Sequence, residues 1–447
     1  MRVRLESVGC RLNIGEIEAM ARSLAAAGHR VVGPGEPAEL CILNTCSVTS
    51  IASKKSRQLI RQLRRSHPGA AVVVTGCDTE LEPEAALGAG VDLVVGNADK
   101  DRLLEMAAAA ELLREPAPDL DGTDLFLPGG GSRTRAFLKV QDGCDNRCTF
   151  CVTTIARGSG RSVAADDLVH EVRALLDLGY REVVLSGVHL GSYGHDAGDR
   201  SGLHRLVARL LADTDVPRLR LSSLEPWDVE SSFFELFADR RLLPHLHLPL
   251  QSGCDATLKR MARRTSRREF SRLVQAARAA VPGVSVSTDV IVGFPGESEE
   301  EFEASIDFVE AMGFARLHVF RYSRRAGTLA ATMPDQVPAP VAQERSRRMH
   351  ALGAELEQRF NSSLVGTTAD VLWETAEDLG DTLRWSGLTP NFVRVSATTS
   401  PDEDLSNIVT PVEIVEAMPG GVVGRIRGTR DRCGCAGNVV SRLNVER

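Results

Sequence analysis

Three cysteines, Cys144, Cys148 and Cys151, stand within one short stretch, CDNRCTFC. Thiols this close suit a disulfide or a metal, and the compartment decides between them. The N-terminus, MRVRLESVGCRLN, lacks the apolar core of a secretory signal, and no window approaches the roughly 20 apolar residues of a membrane span. The chain therefore reads as cytoplasmic, with no membrane partner. There its ten cysteines are better explained as metal ligands, catalytic thiols or packed side chains than as a disulfide framework. A closed zinc site would need a fourth ligand, yet no further Cys or His lies within the usual spacing, and His170 falls far along the next helical stretch. Three thiolates suit a cuboidal [4Fe-4S] cluster with one iron left open for a cofactor or substrate. A three-cysteine zinc knuckle or a loop of free thiols is the competing reading.

A second set of thiols is spread along the chain. VRLESVGC, ELCILNTC and VVVTGC are strand-like runs ending at Cys10, Cys46 and Cys77, each followed by a helical pattern. In an open α/β sheet the loops after parallel strands gather on one edge, so these sulfurs can converge. Cys41 enters an apolar run and reads as packed. Cys254, Cys433 and Cys435 lack a third nearby partner and read as bystanders.

The elements that must position these groups fall into blocks. Residues 1–112 predict an open parallel α/β sheet domain, and 113–132, rich in Pro, Gly and Asp, a linker. Residues 133–362 hold six strand candidates: AFLKV, EVVLSGV, RLRLSSL, HLHLPL, VSVSTDVIVGF and ARLHVF. Amphipathic helical patterns alternate with them, which predicts a partial six-unit (β/α) barrel with its chemistry on the loops after the strands. CxxxCxxC follows the first of these strands directly. Residues 363–432 change to short strands separated by turns, a small all-β barrel, and 433–447 form a tail.

The net charge is −7, so any polyanion partner depends on local positive patches. SKKSRQLIRQLRRSHP supplies one, with Lys54, Lys55, Arg57, Arg61, Arg64 and Arg65 and no acid. On a helix most of these share a broad face, opposite Ile51, Leu59, Ile60 and Leu63. The patch follows Cys46 directly, which favours phosphate binding beside that thiol. KRMARRTSRR and RIRGTRDR add further basic runs. Contact with about six phosphates would give a log–log salt slope near −4 for single-stranded RNA.

CDNRCTFC before a six-unit barrel resembles the radical S-adenosylmethionine superfamily. VGCRLNIGEIEAM, NTCSVTSIASKKSRQ, VVVTGC, RAFLKVQDGCDNRCTFC, LSSLEPWD, HLPLQSG, DVIVGFPGE and FRYSRRAGT, in that order, resemble its methylthiotransferases. The chain is most similar to the branch that modifies N6-threonylcarbamoyladenosine in tRNA. The resemblance implies that Cys144, Cys148 and Cys151 hold the cluster that reduces S-adenosylmethionine to methionine and a 5′-deoxyadenosyl radical. It implies that Cys10, Cys46 and Cys77 hold a second [4Fe-4S] cluster carrying the sulfur, that a second S-adenosylmethionine supplies the methyl group, and that the radical takes hydrogen from carbon 2 of the adenine. An aromatic C–H is not acidic enough for a side-chain base, so no acid/base residue is expected and the cofactor carries the hard step. Partners implied are tRNA, an electron donor such as a flavodoxin or ferredoxin system, and a sulfur source. The C-terminal block resembles the TRAM domain, a tRNA anchor. Candidate S-adenosylmethionine contacts are Gly187, Glu225 and Asp289, and Glu297 is expected at the positive end of a helix. Two positions depart from the family pattern: Thr154 stands near a usual proline, and Cys254 where serine is usual. The isopentenyladenosine branch, the ribosomal-protein branch and a non-catalytic iron-sulfur RNA-binding protein are the alternatives.

Overall fold

A computed structural model describes residues 1–114 and 134–427. Nearly all of the expected linker, the tail with Cys433 and Cys435, and part of the last basic run lie outside the described residues. The N-terminal sheet holds β1 (Arg2–Ser7), β2 (Arg30–Val32), β3 (Leu40–Thr45), β4 (Ala71–Gly76) and β5 (Leu93–Val95). All pairs are parallel, in the order β2-β1-β3-β4-β5. The central strand β3, LCILNT, is buried at every position, as a strand covered on both faces must be. Helices α1 (Arg11–Ala26), α2 (Ser50–Ser66) and α3 (Cys77–Leu81) follow β1, β3 and β4. Those three strands are neighbours, so Cys10, Cys46 and Cys77 arise side by side on one edge.

The apolar face expected for α2 is only partly formed. Ile60 and Leu63 are buried, but Ile51 is 69% exposed, and Ser53 and Ser56 take the inward positions of the first turns. The reason is local: the Ser56 hydroxyl accepts from the Cys46 N–H at 3.2 Å, which a larger apolar side chain would block.

The barrel consists of β6 (Arg135–Asp142), β8 (Glu182–Gly187), β9 (Leu219–Leu221), β10 (His245–His247), β11 (Ser285–Val292) and β12 (Arg316–Arg321), matching the six predicted strands. A two-residue strand, β7 (Arg161–Ser162), adds an antiparallel edge to β6. Two parallel sheets, β6-β8-β9 and β10-β11-β12, are joined by single bridges from Leu219 to Leu242 and Ser223 to His247. α1 packs against β6, which seats the N-terminal domain on the barrel.

A closed barrel follows: β13 (Thr368–Asp378), β14 (Leu383–Leu388), β15 (Arg394–Thr399), β16 (Val409–Met418) and β17 (Gly421–Ile426). Trp373 and Trp385 fill its core and donate their indole N–H groups to Thr410 and Thr399. It docks at the N-terminal ends of the larger barrel's strands. There the buried Glu182 carboxylate accepts from Arg218 at 2.9 Å and Arg220 at 2.6 Å, and these donate onward to the carbonyls of Leu388 and Pro390. Burial alone would raise the Glu182 pKa, but Arg220 and Arg218 hold it down to about 2. No described helix is long and apolar enough to cross a membrane.

Candidate active site between the N-terminal sheet and the barrel

The CxxxCxxC loop leaves β6 through Gly143, whose φ of +70° and position forbid a side chain: a Cβ would lie 1.9 Å from the Ser159 carbonyl oxygen. Gln141 pins the turn, donating to the carbonyls of Asp142 and Gly143 and accepting the His189 N–H at 2.9 Å. Cys144 N–H donates to Gly158 and Cys151 N–H to Cys148, so the loop folds on itself with its three thiols partly exposed. Arg263 Nη1 lies 3.6 Å from Cys148 Sγ, is paired to Glu225 and stacks 4.6 Å from the Trp227 ring centroid. Burial pushes the Cys148 thiol up to about 11, while Arg263 pulls the other way. His189 lies between Asp228 and Cys144; burial would lower its pKa, but those two acceptors raise it to about 10.

The N-terminal cysteines meet through a similar device. Gly9, at φ +115°, brings the chain so close that a Cβ would sit 2.6 Å from Cys46 Sγ. Asn13 ties the strand ends together, donating to the carbonyls of Val8 at 2.8 Å and Thr45 at 2.9 Å. Burial raises the Cys46 thiol to about 11, and the nearby Cys10 and Cys77 add to the shift. The main positive counterweight comes from the other domain. Arg157, buried in the short helix Thr153–Arg157, places Nε 3.3 Å from Cys77 Sγ. Its fork also reaches Glu16 at 2.9 Å, Asp142 at 2.9 Å and Asn13 at 2.9 Å. Glu16 accepts from Lys100 at 2.9 Å as well, and these cations hold its carboxyl far below the usual range against the penalty of burial.

The donor sets fit clusters better than single ions. Zn–S bonds of about 2.3 Å put tetrahedral sulfurs roughly 3.8 Å apart. Among the described residues only His247, Asp289 and His318 bring three ligand atoms within 4.8 Å of one another, so neither cysteine tripod is drawn in tightly enough for one ion. A cluster with irons at separate corners uses the wider spacing. Thiols whose pKa values are raised by burial need a cationic partner to ionise, which iron supplies.

A cavity of about 630 Å³ joins the two halves. Cys10, Cys46 and Cys77 line it on one side; Gly187, Asp289, His247 and His318 line it on the barrel side. Gly187 and Asp289, two of the three candidate cofactor contacts, both line this wall. Glu225 is not in this wall and instead holds Arg263 beside Cys148. Glu297 directly precedes Ser298, the N-cap of the helix Glu299–Met312, whose capping box is formed by Ser298 with Glu301, and its carboxylate accepts from Gly293 N–H and pairs with Arg345. On α2, Lys54, Lys55, Arg61 and Arg65 are exposed, whereas Arg57 is paired with Glu82 and Asp78, and Arg64 with Asp92. Two of the six expected phosphate ligands are therefore already neutralised. Cys41 is fully buried in β3, and Cys254 is the N-cap residue of the helix Asp255–Arg260. Arg157, Arg263, Glu16 and His189 carry no spacing signal, because each acts across a long separation in sequence.

A partial parallel barrel with CxxxCxxC after its first strand defines the class, and the radical SAM superfamily description matches residues 138–309. Residues 2–96 match a second description, uncharacterized protein family UPF0004. The threonylcarbamoyladenosine tRNA methylthiotransferase MtaB of Bacillus subtilis is 36% identical over 431 residues, covering 93% of this chain and 94% of its own length. The tRNA-2-methylthio-N(6)-dimethylallyladenosine synthase of Novosphingobium aromaticivorans is 37% identical over 433 residues, covering 95% and 97%. The fold resembles that of the radical S-adenosylmethionine methyltransferase TsrM from Kitasatospora setae, with a TM-score of 0.56 at 18% identity over 74% of this chain and 77% of that one. The chain belongs to the radical S-adenosylmethionine tRNA methylthiotransferase family. Membership brings S-adenosylmethionine and a [4Fe-4S] cluster as its cofactors.

Proposed function

We propose that this protein inserts sulfur and a methyl group at carbon 2 of N6-threonylcarbamoyladenosine in tRNA. The observation that carries the reading is the single cavity bounded by Cys10, Cys46 and Cys77 on one wall and by the barrel strand ends Gly187 and Asp289 on the other. When bound, the barrel cluster supplies the electron for S-adenosylmethionine cleavage and the N-terminal cluster the sulfur. Cys144, Cys148 and Cys151 are the ligands of the first, and Cys10, Cys46 and Cys77 those of the second. Arg263, positioned by Glu225, and Arg157, positioned by Glu16 and Asp142, bring positive charge to one sulfur of each tripod. The cavity is lined by the N-terminal tripod and not by Cys144, Cys148 or Cys151; holding donor and acceptor in one chain would make their encounter effectively intramolecular. Gly187 offers its backbone to the cofactor, the space a side chain would take being filled by Gln141 and Leu190, and Asp289 supplies a polar group. The four unpaired cations of α2 and the C-terminal barrel hold the RNA, as the basic patch beside Cys46 favours. An electron donor of flavodoxin or ferredoxin type and a sulfur source complete the cycle.

Relatives of both names match to similar extents, and the Bacillus subtilis protein supports the threonylcarbamoyl substrate. Nucleoside mass spectrometry of tRNA from cells lacking the gene separates the two. Loss of the methylthio-threonylcarbamoyl nucleoside is expected, and loss of the isopentenyl counterpart would move the assignment.

A further inference from the structure

One end of the cavity carries positive charge that the cofactors do not explain. Arg11, the first residue of α1, lines the cavity and makes no hydrogen bond or ion pair with any described residue; its guanidinium lies 5.1 Å from the Phe392 ring centroid. The charges that act on it most strongly are Arg135, Arg220 and Arg316 against Glu182, and of these Arg135 is itself paired with Glu374 at 2.6 Å. Glu182 is already shared between Arg218 and Arg220. Arg316, at the start of β12, lines the same cavity and is also without a hydrogen bond or ion pair among the described residues. The other two arginines in the wall are spoken for: Arg157 by Glu16 and Asp142, and Arg394 by Glu374 at 3.7 Å. Of the cavity carboxylates, Asp289 sits 3.3 Å from His247, and neither it nor Glu357 is among the groups that act most strongly on Arg11.

Phe392 marks the same spot from the C-terminal barrel. Its φ of +66° is a costly conformation for a bulky residue, held by contacts with His245 at 4.7 Å between ring centroids and with the guanidinium of Arg220 at 4.7 Å. An aromatic face is thereby set beside the unpaired guanidinium. Two guanidinia, Arg11 and Arg316, that line one cavity without an ion pair among the described residues call for an anion from outside, and the planar fork of a guanidinium matches a carboxylate.

We propose that Arg11, assisted by Arg316, receives the carboxylate of an acidic N6-acyl group on the substrate nucleoside, and so selects an adenosine carrying an amino-acid substituent over one carrying an alkyl group. This rests on the substrate reading above and names the residues that would enforce it. An alkyl substituent, or an ester of the acid, leaves the fork without its partner, and an unmade charged hydrogen bond is the stronger kind of discrimination.

The test uses the full chain and synthetic anticodon stem-loops bearing N6-threonylcarbamoyladenosine, its neutral methyl ester, or N6-isopentenyladenosine. Binding is measured without S-adenosylmethionine, and kcat/KM with the reconstituted enzyme. The wild type is expected to favour the acid over the ester roughly 10- to 100-fold in both readouts, the scale of one or two charged hydrogen bonds. Arg11→Gln should bring that ratio close to one, Arg316→Gln should lower it less, and Arg11→Lys should retain part of it. Thermal melting of Arg11→Lys and Arg11→Gln checks that both fold. If Arg11→Gln folds and keeps the full acid-over-ester preference, the proposal is overturned while the substrate reading stands. If the wild type ignores threonylcarbamoyl RNA and modifies isopentenyl RNA, the substrate reading itself fails, and this assignment with it.

Discussion

Arg157 joins two domains through three acceptors and one sulfur, all out of contact with water. Removing it takes the closest cation from Asp142, which keeps only Lys139 at 4.0 Å and Arg161 at 3.9 Å, and leaves Glu16 to Lys100, a loss of about 3 kcal/mol for a broken buried pair. Arg157→Met should therefore lower stability in urea by about that amount. Glu18 behaves in the opposite sense. It is buried on α1, one oxygen lacks a hydrogen-bond partner, and burial raises its pKa from 4.5 to about 7. The native state then binds more protons than the unfolded chain between about pH 4.5 and 7, so this group's contribution is full below that window and is lost as pH rises through it. Glu18→Gln should remove that slope, gaining on the wild type by up to about 3 kcal/mol at neutral pH, as melting temperatures across the range will show. Gly143 admits no Cβ, so Gly143→Ala should displace Cys144 and cost the barrel its iron, measured as metal content, with the N-terminal tripod still loaded.

At the scale of elements, α2 is the basic surface proposed to meet RNA. With Arg57 and Arg64 tied to acids, four cations of α2 remain without an ion pair among the described residues, and a slope near −3 in log affinity against log salt is expected in place of −4. Replacing Lys54, Lys55, Arg61 and Arg65 with Gln should flatten that slope by nearly as much while leaving S-adenosylmethionine cleavage in place; an unchanged slope would remove α2 from the RNA interface. The helix also shows what a sequence reveals and what it hides. Its existence follows from length and periodicity, and the barrel strands follow from runs such as VSVSTDVIVGF bounded by turns. The inward turn of Ser56 was not legible, because it answers to the Cys46 backbone and not to hydrophobicity. The same holds for Glu297, whose partner Arg345 lies on a helix far along the chain. Cysteines announce themselves by spacing or by ending strands; the arginines beside them do so only when the fold is assembled.

For the whole molecule, the two tripods imply roughly eight irons per chain after anaerobic reconstitution, four at each site. A variant with Cys10, Cys46 and Cys77 all changed to Ser should keep about half and still cleave S-adenosylmethionine, yet release no methylthiolated nucleoside. Binding of only half that iron by the unaltered chain would refute the second centre. The docking of the C-terminal barrel bears on how such experiments are designed. Its carbonyls at Leu388 and Pro390 receive Arg218 and Arg220, and its Phe392 reaches into the lumen. Deleting that barrel to ask whether it grips RNA would also strip two arginines of their carbonyl acceptors and unstopper the cavity from below. A truncated enzyme that has lost activity would thus report a leaking floor as readily as a missing handhold, and point changes on the outer surface are the cleaner probe.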